Sequence, residues 1–255
     1  MAHTTRQVAR TLAAASVIAL LFASGAAHAS VPAATEPTAK MPTAKAPIAK
    51  RQPRERAVQV PSIFSGEFAG LADFGWASCA TPITWSADFS GLAPAVRSRA
   101  EKDISWALSR WADVTSLEFA FNGPEPLALN AEGTQVRPAD GSAARGRHIY
   151  VAFIGARDSA SLEPGTFGLG APTAVFPQRQ EIATADVLIR RSVVTGSTPA
   201  DPSTLRNLYL HELGHALGLG HASVPDLVMS PVLTGAQSLS RAEVTAIRSF
   251  TRPCA

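Results

Sequence analysis

Histidine and cysteine are scarce in this chain, and no apolar run is long enough to cross a bilayer. The longest such stretch, residues 11–22, falls short of the ~20 apolar residues a spanning helix needs. A transmembrane segment in the mature chain is therefore not expected. That stretch follows Arg6 and Arg10 and precedes Ala27-His28-Ala29, the layout of a removable secretory leader over residues 1–29. No cysteine follows it closely, which argues against a lipid anchor. The chain has only two cysteines, Cys79 and Cys254. Charge is also limited. The formal net charge is +3, yet from Gly70 onward 15 Lys+Arg face 17 Asp+Glu, a formal −2. The positive balance belongs to the leader and to a repetitive stretch, PTAKM-PTAKA-PIAKR. No nucleic-acid-binding motif is present, so a nucleic-acid partner is not expected.

Residues 30–68 carry that Pro/Ala/Lys repeat. Such a composition cannot bury a core and predicts a disordered tail or pro-segment. Residues 69–255 read as one globular domain. A strand is expected over residues 82–89, with Ile83, Trp85 and Ala87 on one face. An amphipathic helix follows over 94–113, with Pro94 in its first turn. Further strands are expected at 117–121, 148–154, 171–176 and 184–189, and a long loop at 122–145. Strands, a crossing helix, more strands and a final helix predict an α/β (α+β) fold, a mixed twisted sheet packed on helices.

Half of the six histidines lie in eleven residues, HELGHALGLGH, residues 211–221. A helix over 204–217 capped by Ser203 puts His211 and His215 one turn apart on one face. That spacing suits two ligands of one metal ion. Gly218 can take positive φ, end the helix and bring His221 back to the same ion. Three imidazoles leave a fourth position for water, the pattern of a catalytic rather than a structural zinc. Glu212 can reach that water without being a ligand. A purely structural or storage zinc is the rival reading; it has no use for Glu212.

With these residues in place, HELGHALGLGH resembles the zinc signature of the metzincin metalloproteases, here the matrixin-like branch. Met229, eight residues after His221, matches the methionine turn of that group. Ala222-Ser223 after the third histidine, and Pro231 two residues past the methionine, differ from the astacin-like and serralysin-like patterns. LSRAEV, residues 239–244, resembles the matrixin C-terminal helix, with a capping box from Ser240 and Glu243.

The resemblance implies one catalytic zinc on His211, His215 and His221, Glu212 as general base, and Met229 beneath the site. It implies a protein or peptide substrate lying extended on an edge strand, residues 170–176, in which Pro172 lacks a donor. Leu233 and Thr234 hint at an apolar pocket for the residue after the scissile bond. The second zinc of typical vertebrate-type matrixins needs three more histidines and an aspartate. TFGLGAPTAVFPQRQEIATADV, residues 166–187, has no histidine, and His148, read as a strand-edge residue, cannot make that site alone. Calcium is an open question: Asp158, Glu163, Glu181 and Asp186 are possible donors without a grouping spacing. No PRCGxPD-like latency motif occurs. A secreted protein, extracellular or periplasmic and monomeric, is expected. Its cysteines are expected as a Cys79–Cys254 disulfide; the rivals are Cys79 as a latency switch and two free thiols. The alternative function is a non-catalytic zinc-binding or surface-adhesion protein on the same scaffold.

Overall fold

The computed structural model describes residues 58–59, 74–79, 81–155, 158–159, 162, 165–196 and 199–253, all within one compact unit, Gln52–Ala255. The expected leader, nearly all of the expected tail, Glu163 and Cys254 lie outside the described residues. In chain order the elements are β1 (Val58–Gln59), β2 (Trp76–Ser78), β3 (Ile83–Asp88), α1 (Pro94–Ala112), β4 (Phe119–Pro124), β5 (Leu127–Leu129), β6 (Val136–Pro138), β7 (His148–Ile154), β8 (Gly168–Phe176), β9 (Glu181–Arg190), α2 (Arg191–Thr195), α3 (Pro202–Ala216), α4 (Arg241–Ser249) and β10 (Thr251–Pro253).

The main sheet has the order β1-β8-β9-β7-β3-β4. Strands β4, β3, β7 and β9 run parallel, while β8 is antiparallel to β9 and β1 antiparallel to β8. This is the mixed-sheet α+β architecture expected from the order of elements. Alternation explains how the sheet is buried. Ile83, Trp85 and Ala87 of β3 join Ile149, Val151 and Phe153 of β7 on one face, with Ala185, Val187 and Ile189 of β9. They pack against Ala100, Ile104, Ala107, Leu108 and Trp111 of α1 and against α3. Tyr150, Ala152, Ile154 and Leu188 cover the other face together with Val136 and Leu162. A central strand covered on both faces carries no exposed positions, and β7 is buried at all seven. The fully buried Trp111 also donates its indole N–H to Leu210 O at 3.0 Å, tying α1 to α3. Truncating such a residue to alanine costs about 3–5 kcal/mol.

Several local expectations change. The loop expected at 122–145 contains the β5–β6 hairpin, whose backbone is anchored from outside by Asp186 accepting Val136 N–H at 2.8 Å. Strands of three residues are too short for alternation to identify them in the sequence, and they owe their pairing to such contacts. Asp201, not Ser203, caps α3: its carboxylate accepts from the backbone N–H groups of Ser203 and Thr204. The Ser203 hydroxyl itself donates to Asp201, so a charged acceptor outcompetes the hydroxyl. These bonds hold the Asp201 carboxyl well below the usual carboxylate range. His148 is not a strand-edge residue: β7 lies between β9 and β3, and its imidazole is fully buried. Strand β8 is not the free edge, because β1 pairs with it at Val175 and Ala174.

Candidate metal centre

The helix carrying the histidines is fixed at both ends. Pro202 begins α3 where no N–H acceptor is needed. At the other end Leu219 N–H reaches Gly214 O and Gly218 N–H reaches His215 O, at 3.0 and 2.9 Å. That is a Schellman closure, and it needs the left-handed φ of +110° found at Gly218. The turn does two things. It sends the chain back so that His221 faces the helix, and it aims Leu219 O at His215 Nδ1, 2.7 Å away. Trp76 Nε1 donates to Ala216 O at 3.0 Å and satisfies one of the last carbonyls of the helix.

His211 Nδ1 is likewise 2.7 Å from Val228 O. A carbonyl can only accept, so each Nδ1 carries the proton and each Nε2 presents a bare lone pair. The two Nε2 atoms are 3.0 Å apart. One ligand atom from each of His211, His215 and His221 lies within 4.8 Å of the others. Nitrogens around a tetrahedral zinc at about 2.0–2.1 Å sit roughly 3.4 Å apart. Converging lone pairs from neutral rings fit such a cation and otherwise repel. Burial keeps the rings neutral, holding His211 down to about 4 and His215 down to about 3. Burial lowers His221 as well. Among the described residues this is the one cluster able to hold a metal ion.

Glu212 follows His211 on α3 and packs against β8. Its carboxyl accepts the N–H of Gly170, and burial pushes it up to about 8. The fit against β8 is close. A Cβ on Gly168 would stand 2.7 Å from Glu212 Cγ, and one on Gly170 would stand 2.0 Å from Glu212 O. A side chain at Gly170 would therefore run into helix backbone, and one at Gly168 would displace the Glu212 side chain.

The methionine turn acts mainly through its backbone. Val228 O orients His211, Met229 O accepts Ala222 N–H at 2.7 Å, and Met229 N–H donates to Glu243 Oε1 at 2.8 Å. The Met229 side chain is buried under α3, its sulfur 2.4 Å from where a Cβ on Gly214 would be. Glu243 Oε2 accepts from Ser240 N–H and its own N–H donates to Ser240 Oγ, the expected capping box. One buried side chain thus joins the cap of α4 to the turn beneath the histidines.

The other candidate residues lie elsewhere. His148 Nδ1 is 2.7 Å from Thr84 Oγ1, its Nε2 has no partner, and burial lowers it to about 4. Glu181 pairs with Arg147 at 2.9 Å and Arg179 at 3.4 Å. Asp186 accepts from Val136 N–H and from the Thr173 hydroxyl, and Asp158 from Gly155 N–H. No described cysteine is a free thiol. Pro172 sits within β8, opposite Ala185 of β9. Gly168, Gly170, Gly214 and the Glu243–Met229 contact were not read from the sequence. Gly168-Leu169-Gly170 did carry a signal: glycines at i and i+2 of a strand mark a face closely approached by other backbone.

The site resembles a metzincin zinc centre, and the chain is similar to the matrixins: the matrixin family model, Peptidase_M10, matches residues 174–250. The chain is also 30% identical over 139 residues to Metalloendoproteinase 5-MMP of Arabidopsis thaliana, an alignment covering 52% of this chain and 33% of that protein. The chain thus spans about a third of the length of the curated relative it matches.

Proposed function

We propose that the protein is a secreted zinc metalloendopeptidase that hydrolyses peptide bonds of protein substrates. The observation that carries this is the convergence of three neutral imidazoles next to a buried, unliganded carboxyl at Glu212. His211, His215 and His221 would hold a zinc ion, and the chemistry it would supply there is Lewis acidity and the activation of water near neutral pH. A cation on the three histidines would offset the burial that raises Glu212 and favour its ionised form; as a carboxylate it would accept a water's proton at an oxygen and return it to the leaving amine nitrogen. The Gly170 N–H holds that carboxyl in place, and the glycines of β8 let the strand lie directly on it. Met229 binds no metal; it fills the space under Gly214.

The same reading takes residues 1–29 as a leader directing the chain to an extracellular or periplasmic space, with residues 69–255 as a monomeric catalytic domain. In that setting Cys79 pairs with Cys254, the only other cysteine of the chain. The parallel register of β10 on β2 supports it, since Pro253 lies opposite Ser78, one residue before each cysteine.

Substitution separates the roles. Glu212→Ala is expected to retain about one zinc per chain and lose peptidase activity by several orders of magnitude, because proton transfer is lost and the metal is not. His215→Ala is expected to lose both. Metal content and turnover of a quenched peptide library measure the two. Near-native turnover by Glu212→Ala would sink the mechanism. An intact protein that holds zinc and cleaves nothing would favour the non-catalytic alternative.

A further inference from the structure

Helix α1 and the first half of α3 do not close fully on each other. Val96, Ala100 and Asp103 recur at helical spacing on α1, and Leu205 and Tyr209 stand one turn apart on α3. Where these faces meet Val194 of α2 and the segment Pro199–Ala200, they leave a cavity of about 200 Å³. Close-packed proteins hold few voids larger than one water, whose share of the liquid is about 30 Å³. The side chains lining the cavity are apolar apart from Arg99, Asp103 and Tyr209. Arg99 is exposed, but Tyr209 is only 1% and Asp103 only 5% accessible. Asp103 Oδ1 accepts Arg206 Nε–H at 2.8 Å, and the Tyr209 ring meets Phe153 edge-on with centroids 6.4 Å apart. Among the described residues, no hydrogen bond reaches Tyr209 Oη or Asp103 Oδ2. Buried oxygens of this kind ordinarily have a partner, and here the cavity is where one can enter.

We propose that this cavity binds a small, mainly apolar molecule carrying one hydroxyl group, of the alkylphenol class. A hydroxyl suits both oxygens at once: its oxygen accepts from the Tyr209 O–H, and its own O–H donates to the Asp103 carboxylate. A carboxylate in the same place is repelled by Asp103, and a hydrocarbon leaves both oxygens without a partner. The polar wall is set before binding, Asp103 by Arg206 and Tyr209 by Phe153, so little ordering opposes it. The site uses the helix that carries His211 and His215 but none of the residues of the metal centre. It does not depend on the peptidase reading.

The test is methyl NMR of the full-length protein, following Val96, Val194 and Leu205 during titration with 4-methylphenol. Toluene and 4-methylbenzoate are the comparison probes. Saturable shifts at these methyls are expected, with a Kd on the order of 1 mM. Toluene is expected to bind about three- to ten-fold more weakly, and 4-methylbenzoate not to bind. Tyr209→Phe keeps the ring and is expected to weaken 4-methylphenol about three- to ten-fold while leaving toluene unchanged. Ala200→Leu fills the cavity and is expected to abolish the shifts. No shift at these methyls up to about 10 mM probe would leave the cavity to water alone. Equal binding of toluene and 4-methylphenol, or of 4-methylphenol by the wild-type and Tyr209→Phe proteins, would show that no hydroxyl is read. Tighter binding of 4-methylbenzoate would assign the site to anions through Arg99. Each of these results overturns the proposal, as does a folded Ala200→Leu protein that keeps the shifts.

Discussion

At the scale of single residues, the site is built from groups that cannot be exchanged for near relatives. The Cβ that alanine would add at Gly214 meets Met229 sulfur at 2.4 Å and Trp111 at 2.9 Å. The carboxyl at Asp186 shows how burial alone sets chemistry. It is fully buried on the sheet face opposite α3, and burial pushes it up to about 7. In the unfolded chain the same group titrates near 3.8. Between those values the unfolded form is ionised while the folded form keeps its proton, so stability falls as pH rises. The stabilising contribution is complete below about pH 4 and is gone above the folded value. Asp186→Asn removes this dependence and keeps an acceptor for Val136 N–H. The wild-type protein is therefore expected to lose stability relative to Asp186→Asn between pH 4 and 8, by on the order of 1–4 kcal/mol. Denaturant unfolding of both proteins across that range measures it; parallel profiles would refute the assignment.

At the scale of elements, the methionine turn and α4 form one mechanical unit through Glu243. Both carboxylate oxygens accept backbone N–H groups, one from Met229 and one from Ser240. The residue before Met229 orients His211. Glu243→Ala leaves the buried Met229 N–H without an acceptor, which costs about 1–3 kcal/mol. It is also expected to speed zinc release several-fold, because the Val228 carbonyl that sets the His211 ring loses its neighbouring support. Glu243→Gln keeps one oxygen acceptor and is expected to fall between the two. Melting temperature and chelator-driven zinc release test this, and zinc release unaffected by Glu243→Ala would confine the residue to helix capping. A similar clamp holds the approach to β8. Arg190 donates from Nε to Thr166 O at 2.8 Å and from Nη2 to Leu162 O at 2.6 Å, so a guanidinium gathers the carbonyls of the segment leading to Gly168.

At the scale of the whole molecule, the two chain ends of the domain meet. Strand β10 follows α4 directly and pairs in parallel with β2, which precedes the first core strand. Trp76 of β2 is fully buried and bonds to the end of α3. A Cys79–Cys254 bond at this junction would close almost the entire domain into one loop. The chain-entropy account gives roughly 4–5 kcal/mol for a loop this long, and engineered cases deliver less. Non-reducing peptide mapping is expected to return a linked pair containing both residues, and the Cys79→Ser, Cys254→Ser protein is expected to melt lower while keeping its zinc. A free Cys79, with activity released by mercurials, would instead make it a latency switch.

Much of this was legible in the amino-acid order, for a physical reason. The metal cluster is local: His211, His215 and Gly218 are set by helical period and by one positive-φ residue, and His221 follows within a turn. The long strands β3 and β7 and helix α1 alternate or repeat strongly enough that packing had only to confirm the pattern. Elements too short to repeat a period twice, β2, β5, β6, β10 and α2, carry no such pattern. Their pairing comes from contacts such as Asp186 to Val136 and Trp76 to Ala216, which join residues 50 and 140 positions apart. The cap of α3 moved to Asp201 because local propensity does not rank a charged acceptor against a hydroxyl two residues on.

The sequence by itself placed the three histidines that converge, the helix that presents two of them and the class of sheet, since each depends on interactions within about one turn or one strand. Only the tertiary structure decided what Glu212 touches, that Gly168, Gly170 and Gly214 are contact points, that Glu243 supports the methionine turn, and that β8 carries β1 on its edge. Those are contacts between segments far apart in the chain, whose register is set by the packing of whole elements and leaves no period in the residues themselves.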